Sequence, residues 1–161
     1  MDLISQFMEN YKKKMPFYET AGRLAALQLE EELRSAGIRS IVTFRAKNPG
    51  RLKAKVQRRN ELNAGPYKNM KEIYEDIADL TGVRVSLYFP GDRDIVNTLI
   101  GRLFTILETR QFPEQSKPPS YHKRFSGYWA NHYRAHMREE RLEPPQKKYA
   151  AARIEIQVAS V

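Results

Sequence analysis

The chain has 161 residues, no cysteine and a formal net charge of +9. That length supports one domain with a real hydrophobic core. The missing cysteines exclude a disulfide-stapled scaffold and a thiolate zinc site. The excess of cations points to an anionic partner: nucleotide, nucleic acid or a membrane headgroup.

In chain order, the opening "MDLISQFMENYKKK" carries its lysines after its apolar residues, unlike a signal peptide. A short helix is compatible with it. The spacing of Leu24, Leu27, Leu29 and Leu33 predicts a helix over residues 16–36, opened by Pro16 and stopped by Gly37. "RSIVTFRAK" (39–47) reads as a strand, "NPG" as a turn, and "RLKAKVQRRNEL" (51–62) as a basic helix. Residues 69–80 read as a helix or helical turn, and "GVRVSLYF" (82–89) as a strand with clean alternation. An amphipathic helix is expected over 91–108, with Asp92 as its cap, then a proline-bearing loop over 111–125. Two strands follow, 127–137 and 152–158, with 139–149 as their connection. Strands alternating with helices predict a single α/β or α+β domain over 1–161, with a mixed sheet of about five strands flanked by helices. The last strand runs straight into Val161, so further chain is expected beyond it. No apolar run reaches the roughly 20 residues that span a bilayer. A cytoplasmic setting without membrane attachment is expected, and a homo-oligomer is compatible with the sequence.

Charge is distributed unevenly. No acid occurs between Leu33 and Asn60 or between Gln115 and Arg138, and between these basic lobes lie Glu72, Glu75, Asp76 and Asp79. Two basic lobes around a few carboxylates fit phosphates plus a metal better than a uniform polyanion track.

Strand parity sharpens this, because side chains i and i+2 share a face. Val42 and Phe44; Val83, Val85, Leu87 and Phe89; Trp129, Tyr133, Ala135 and Met137; and Ile154, Ile156 and Val158 form one oily side. The other side carries Arg45, Lys47, Arg84, Tyr128, His132, Arg134, Arg153, Glu155 and Gln157. Solvated sheet faces are common, but this one is rich in arginine and holds one tyrosine and one carboxylate. Arginine stacks on purines and grips phosphate in a fork, and tyrosine stacks on bases. Asp79 and Glu155 on neighbouring strands could hold Mg²⁺ by one or two oxygens, substrate phosphates completing its shell. Read alone, Asp79 reads first as a helix-terminal or turn aspartate, and Glu155 equally as a salt-bridge partner. There is no Walker glycine loop, no GxGxxG, no HExxH and no HD dipeptide. Phosphates would therefore rest on side chains and on the helix N-terminus after "NPG". His132 is the better candidate for a substrate contact, and His136 for a packing role.

"FRAKNPGRLKAK", "DIADLTGVRV", "FSGYWANHY" and "RIEIQV" occur in the order and spacing of the RelA/SpoT family, and the resemblance covers residue 17 to the C-terminus. The sequence resembles that family's (p)ppGpp synthetase domain, without an HD hydrolase domain. The resemblance implies a nucleotidyltransferase-related fold and transfer of the β,γ-pyrophosphate of ATP to the 3′-hydroxyl of GDP or GTP. It implies that Arg45 and Arg84 sandwich adenine and that Lys47 and Lys55 take phosphates, with Arg51 at the family's serine position beside them. It implies that Asp79 and Glu155 hold Mg²⁺, Glu155 also helping to deprotonate the acceptor. Tyr128, His132 and Gln157 would contact the acceptor, and Lys123 or Arg124 would supply the lysine ahead of the tyrosine. Two further readings stay open. One is another acceptor, an adenine nucleotide or the 3′ end of a tRNA with Arg58, Arg59, Lys147 and Lys148 as footprint. The other is a nucleotide- or RNA-binding module without turnover.

Overall fold

A computed structural model of the chain describes residues 1–62, 66–112 and 129–161. Its core is a sheet of five strands in the order β1-β2-β5-β4-β3. These are β1 (Ser40–Ala46), β2 (Thr81–Leu87), β3 (Phe104–Phe112), β4 (Ala130–Met137) and β5 (Ile154–Ser160). β2 and β5 run parallel at the centre, and the other neighbours are antiparallel. The helices are α1 (Leu3–Ser35), α2 (Pro49–Leu62), α3 (Met70–Asp76) and α4 (Arg93–Leu103). Short 3₁₀ turns connect β4 to β5. The mixed α+β architecture agrees with the sequence reading. Among the described residues no helix is long and apolar enough to cross a membrane.

The oily side is built as parity predicts except at Phe89, which lies beyond the end of β2 and is exposed. Val83, Val85, Leu87, Tyr133, Ala135, Met137, Ile154, Ile156 and Val158 are all buried. β1 is an edge strand, so Phe44 keeps 43% of its surface exposed although it faces the same way.

Three elements differ from expectation. α1 is one continuous helix, and Pro16 lies inside it rather than at its start. An interior proline costs a helix about 3 kcal/mol. Here Phe7, Met8 and Tyr11 before it, and Ala21, Ala25, Leu29 and Leu33 after it, are buried at helical spacing, and that packing carries the helix through. The N-terminal turn is capped by Asp2, whose carboxylate accepts from the Ser5 amide at 2.7 Å.

The second difference is larger. α4 stops at Leu103, and Phe104–Phe112 forms edge strand β3 instead of helix followed by loop. Leu99, Ile100, Leu103 and Phe104 are all buried at helical spacing, so the pattern gives no break at the true boundary. A bulge lies between Ile106 and Glu108, and Leu107 is left without a partner on β4. One extra residue flips every side chain after it to the opposite face. Glu108 therefore pairs with Arg134, and Arg110 with His132.

The third is α2, which begins at Pro49, so the expected "NPG" turn is already its first turn. Proline at a helix start loses nothing, because that N–H has no intrahelical acceptor.

α1 lies against β1 and β2, and Gly22 lets it do so. A Cβ built at Gly22 would sit 2.6 Å from the Thr81 hydroxyl oxygen, and Thr81 is fully buried. Gly22→Ala is therefore expected to lose about 1–3 kcal/mol by overpacking, although alanine is the better helix former by about 1 kcal/mol. The midpoint of chemical denaturation measures it; a midpoint above the parent's would show that the contact relaxes freely.

Candidate active site

The polar side of the sheet holds two adjoining cavities with Glu155 as their shared wall. The first, of about 180 Å³, is lined by Arg45, Asp79, Gly82, Arg84, Glu155 and Gln157, with parts of Thr43, Phe44 and Val83. Strand register explains the assembly. Arg45 on β1, Gly82 on β2, Glu155 on β5 and Arg134 on β4 form one row. Thr43, Arg84, Gln157 and His132 form the next.

Asp79 enters this row from the segment between α3 and β2. Its carboxylate accepts from the Lys47 ammonium at 2.7 Å and from Lys55 at 2.9 Å, one lysine on each oxygen. Lys47 directly follows β1, and Lys55 lies in α2. Burial pushes the Asp79 carboxyl up, and hydrogen bonds and charge from both lysines more than offset it. The net result is a group held below its usual range.

On the other wall, Gln157 donates to Glu155 Oε1 at 2.9 Å, and His132 Nδ1 lies 3.5 Å from the same oxygen. Arg84 in turn donates to Gln157 at 3.4 Å. Burial lowers the His132 pKa, nearby Arg110 and Arg84 add to this, and Glu155 opposes it. The balance favours the uncharged imidazole.

The second cavity, of about 210 Å³, is lined by Lys55, Arg59, Glu108, Arg110, Phe112, His132, Arg134 and Glu155. Glu108 bridges Arg110 at 2.9 Å and Arg134 at 3.1 Å. The Phe112 and His132 rings lie 4.8 Å apart. The bulge at Leu107 is what brings Glu108 and Arg110 into register with Arg134 and His132 on this wall.

Of the sequence-predicted residues, Arg45, Lys47, Lys55, Asp79, Arg84, His132, Glu155 and Gln157 come together here. Arg51 does not line either cavity. It is exposed at the start of α2, where its amide donates to the Asn48 side chain at 3.2 Å. Tyr128, Lys123 and Arg124 lie outside the described residues. Glu108 and Arg110 were missed, because their strand reads as a helix tail and a loop, and Arg59, assigned to an RNA footprint outside the pocket, lines the second cavity.

Arg153 lines neither cavity. Its Nη2 lies 2.6, 2.8 and 2.9 Å from the carbonyl oxygens of Tyr74, Glu75 and Ile77. It satisfies the open end of α3, two residues before Glu155 in sequence, and ties the strand of one carboxylate to the segment that delivers the other. Charge-assisted hydrogen bonds of this kind contribute about 1.5–3 kcal/mol. In Arg153→Gln, amides of residues 74–79 are expected to exchange with solvent roughly tenfold faster or more. Amides of β4 should keep the parent's protection. Unchanged exchange at 74–79 would remove the anchoring role.

Two further pins hold this framework. The buried Tyr11 hydroxyl donates to the Lys47 carbonyl at 2.6 Å. Burial foremost pushes its pKa up to about 12. Arg59 grips Asp76 with two bonds of 2.6 and 2.8 Å, and the Tyr67 hydroxyl bonds the same carboxylate. Chiefly through the Arg59 hydrogen bonds, the Asp76 carboxyl is held down to about 2.

Cations and two carboxylates thus line one cleft on the polar side of a mixed five-stranded sheet. Solved structures share the fold. The small alarmone synthetase 1 from Bacillus subtilis, bound to its product pppGpp, superposes with a TM-score of 0.59 at 20% identity, over 94% of this chain and 73% of that one. A GTP pyrophosphokinase family protein from Streptococcus pneumoniae gives 0.53 at 18%, over 99% and 70%. The protein smu.1046c from Streptococcus mutans UA159 gives 0.52 at 16%, over 96% and 69%. No family model and no curated protein sequence matches the chain.

Proposed function

We propose that this cleft is the catalytic centre of a pyrophosphokinase that moves the β,γ-pyrophosphate of ATP to the 3′-hydroxyl of GDP or GTP. One observation carries the reading: Asp79 and Glu155 line a single cleft together with Arg45 and Arg84, and Asp79 is already gripped by Lys47 and Lys55. The fold shared with a synthetase bound to pppGpp supports it.

Arg45 and Arg84 flank the adenine, and Lys47 and Lys55 turn from Asp79 to the triphosphate. His132 and Arg110 face the acceptor, which occupies the second cavity, and Gln157 on the wall of the first holds Glu155 between them. The acceptor 3′-oxygen attacks the β-phosphorus. The bond from that phosphorus to the α,β-bridging oxygen breaks, AMP leaves with the oxygen, and the hydroxyl proton passes to Glu155. Such transfers need alignment and charge neutralisation more than covalent help.

Mg²⁺ suits this donor set. The two carboxylates are hard oxygen donors, and among the described residues no cluster of three metal-ligating side chains forms a closed cage. An ion that takes one or two carboxylates and completes its shell with water and substrate phosphate matches that arrangement. Asp79 and Glu155 would hold it, and when bound it would neutralise charge on the transferring phosphates.

Incubation with labelled ATP plus GDP or GTP, with and without Mg²⁺, tests the reading. AMP and a pyrophosphorylated guanosine nucleotide are expected only when all components are present. Label passing to an adenine nucleotide or to RNA instead would select another acceptor. Binding of ATP with no AMP from any acceptor would leave a module without turnover.

A further inference from the structure

Gly82 stands in the middle of the first cavity, in register between Arg45 on β1 and Glu155 on β5. Glycine inside a strand needs a reason, since it weakens the strand by about 0.5–1 kcal/mol relative to alanine. The usual reasons fail here. Among the described residues only Gly37 has a positive φ, so the backbone at position 82 suits any L residue. A Cβ built there meets nothing closer than the Glu155 carbonyl oxygen at 3.4 Å, an ordinary contact. Gly22 is the contrast, because there a Cβ would strike Thr81 at 2.6 Å. The fold therefore requires the glycine at position 22 and not the one at position 82. What a side chain at position 82 would change is the cavity, whose floor it would raise between Arg45, Asp79 and Glu155.

Resting on the pyrophosphokinase reading, we propose that Gly82 is a specificity-determining residue: its bare Cα is the floor against which the donor nucleoside triphosphate lies between Arg45 and Glu155. The next outward-facing residues of β2, Arg84 and Ser86, both carry side chains, so the recess is confined to this position. The proposal yields a signature that a structural glycine cannot. Substitution improves the strand and damages binding at once, because alanine and valine are better strand residues and each added carbon occupies ligand space. One surplus methylene in a close-fitting pocket shifts affinity by roughly 10–200-fold.

The test compares the parent with Gly82→Ala and Gly82→Val. Thermal melts report the fold. Calorimetric titration with α,β-methylene-ATP, which lacks the cleavable bridging oxygen, reports binding. Both variants are expected to melt at or above the parent temperature. Affinity for the analogue should fall about tenfold in Gly82→Ala and about 100-fold or more in Gly82→Val. Two results overturn the proposal: analogue affinity in Gly82→Val within about twofold of the parent's, or both variants melting well below the parent, which would make the glycine structural. A parent that itself fails to bind the analogue overturns the pyrophosphokinase reading along with this one, so the two failures are told apart by the parent alone.

Discussion

Replacing Asp79 with asparagine is expected to lower the rate of pyrophosphate transfer at least about 10²-fold while ATP continues to bind. Asp79 offers one oxygen to Lys47 and the other to Lys55, and these lysine side chains are only 15% and 28% exposed. Asparagine keeps the shape but supplies a single neutral acceptor. The lysine pair then loses its counter-charge, so the local field becomes more attractive to phosphate. KM for ATP should stay level or fall, and kcat should carry the loss, which separates transition-state work from uniform binding. A raised KM with unchanged kcat would instead make Asp79 a binding organiser and sink the assignment. The substitution should also flatten the acid limb of the stability curve. A carboxyl held below its unfolded value stabilises the fold above that value, and the contribution is lost as pH falls through the folded pKa. Asparagine has no such titration, so urea midpoints taken down the acid range report it.

How much of this was legible in advance follows from the range of each interaction. The oily and polar sides of β2, β4 and β5 were readable because alternation with period two is a local property of the chain. So was the excess of cations around a few acids. The convergence of Asp79 and Glu155 was not local. It requires β5 to lie parallel to β2, with Gly82 opposite Glu155, across 73 residues of sequence that no periodicity spans; the residue pattern offers the pair only as one option, and the resemblance singles it out. β3 was hidden by two coincidences: the buried spacing of α4 runs on to Phe104, and the bulge at Leu107 breaks the alternation that would have marked a strand. Arg110 and Glu108 went unseen for that reason alone. The anchoring role of Arg153 was not readable, because parity gives the side on which a residue starts, not the carbonyls at which a long side chain ends.

The anchors share a logic. Tyr11 fixes the carbonyl of Lys47, Arg59 fixes Asp76, and Arg153 fixes the carbonyls just before Asp79. Each is a long polar side chain from one element gripping the backbone or carboxylate of another, and each lies close in sequence or space to a group lining the cleft. None touches the proposed reacting atoms. They make the cleft rigid, and rigidity is what alignment of two nucleotides demands, since a misplacement of about 1 Å costs on the order of 10²-fold in rate.

Glu155→Gln probes the other wall, and its outcome should differ in kind from that of Asp79. Glutamine is isosteric and keeps an acceptor for the Gln157 amide, so the fold and both cavities should survive. It cannot take a proton, and it adds no negative charge between the cavities. Loss of a general base of this type lowers turnover by roughly 10²–10⁴-fold. Affinities for ATP and for the guanosine nucleotide are expected to stay within a few-fold, because Arg45, Arg84, Lys47 and Lys55 are untouched. The double variant with Asp79→Asn is the sharper measurement. If both carboxylates serve one transition state, the second substitution adds little to the first, because residues that act as a unit are strongly non-additive. If the two losses multiply in full, the carboxylates act on separate steps, and the single cleft drawn here would have to be divided.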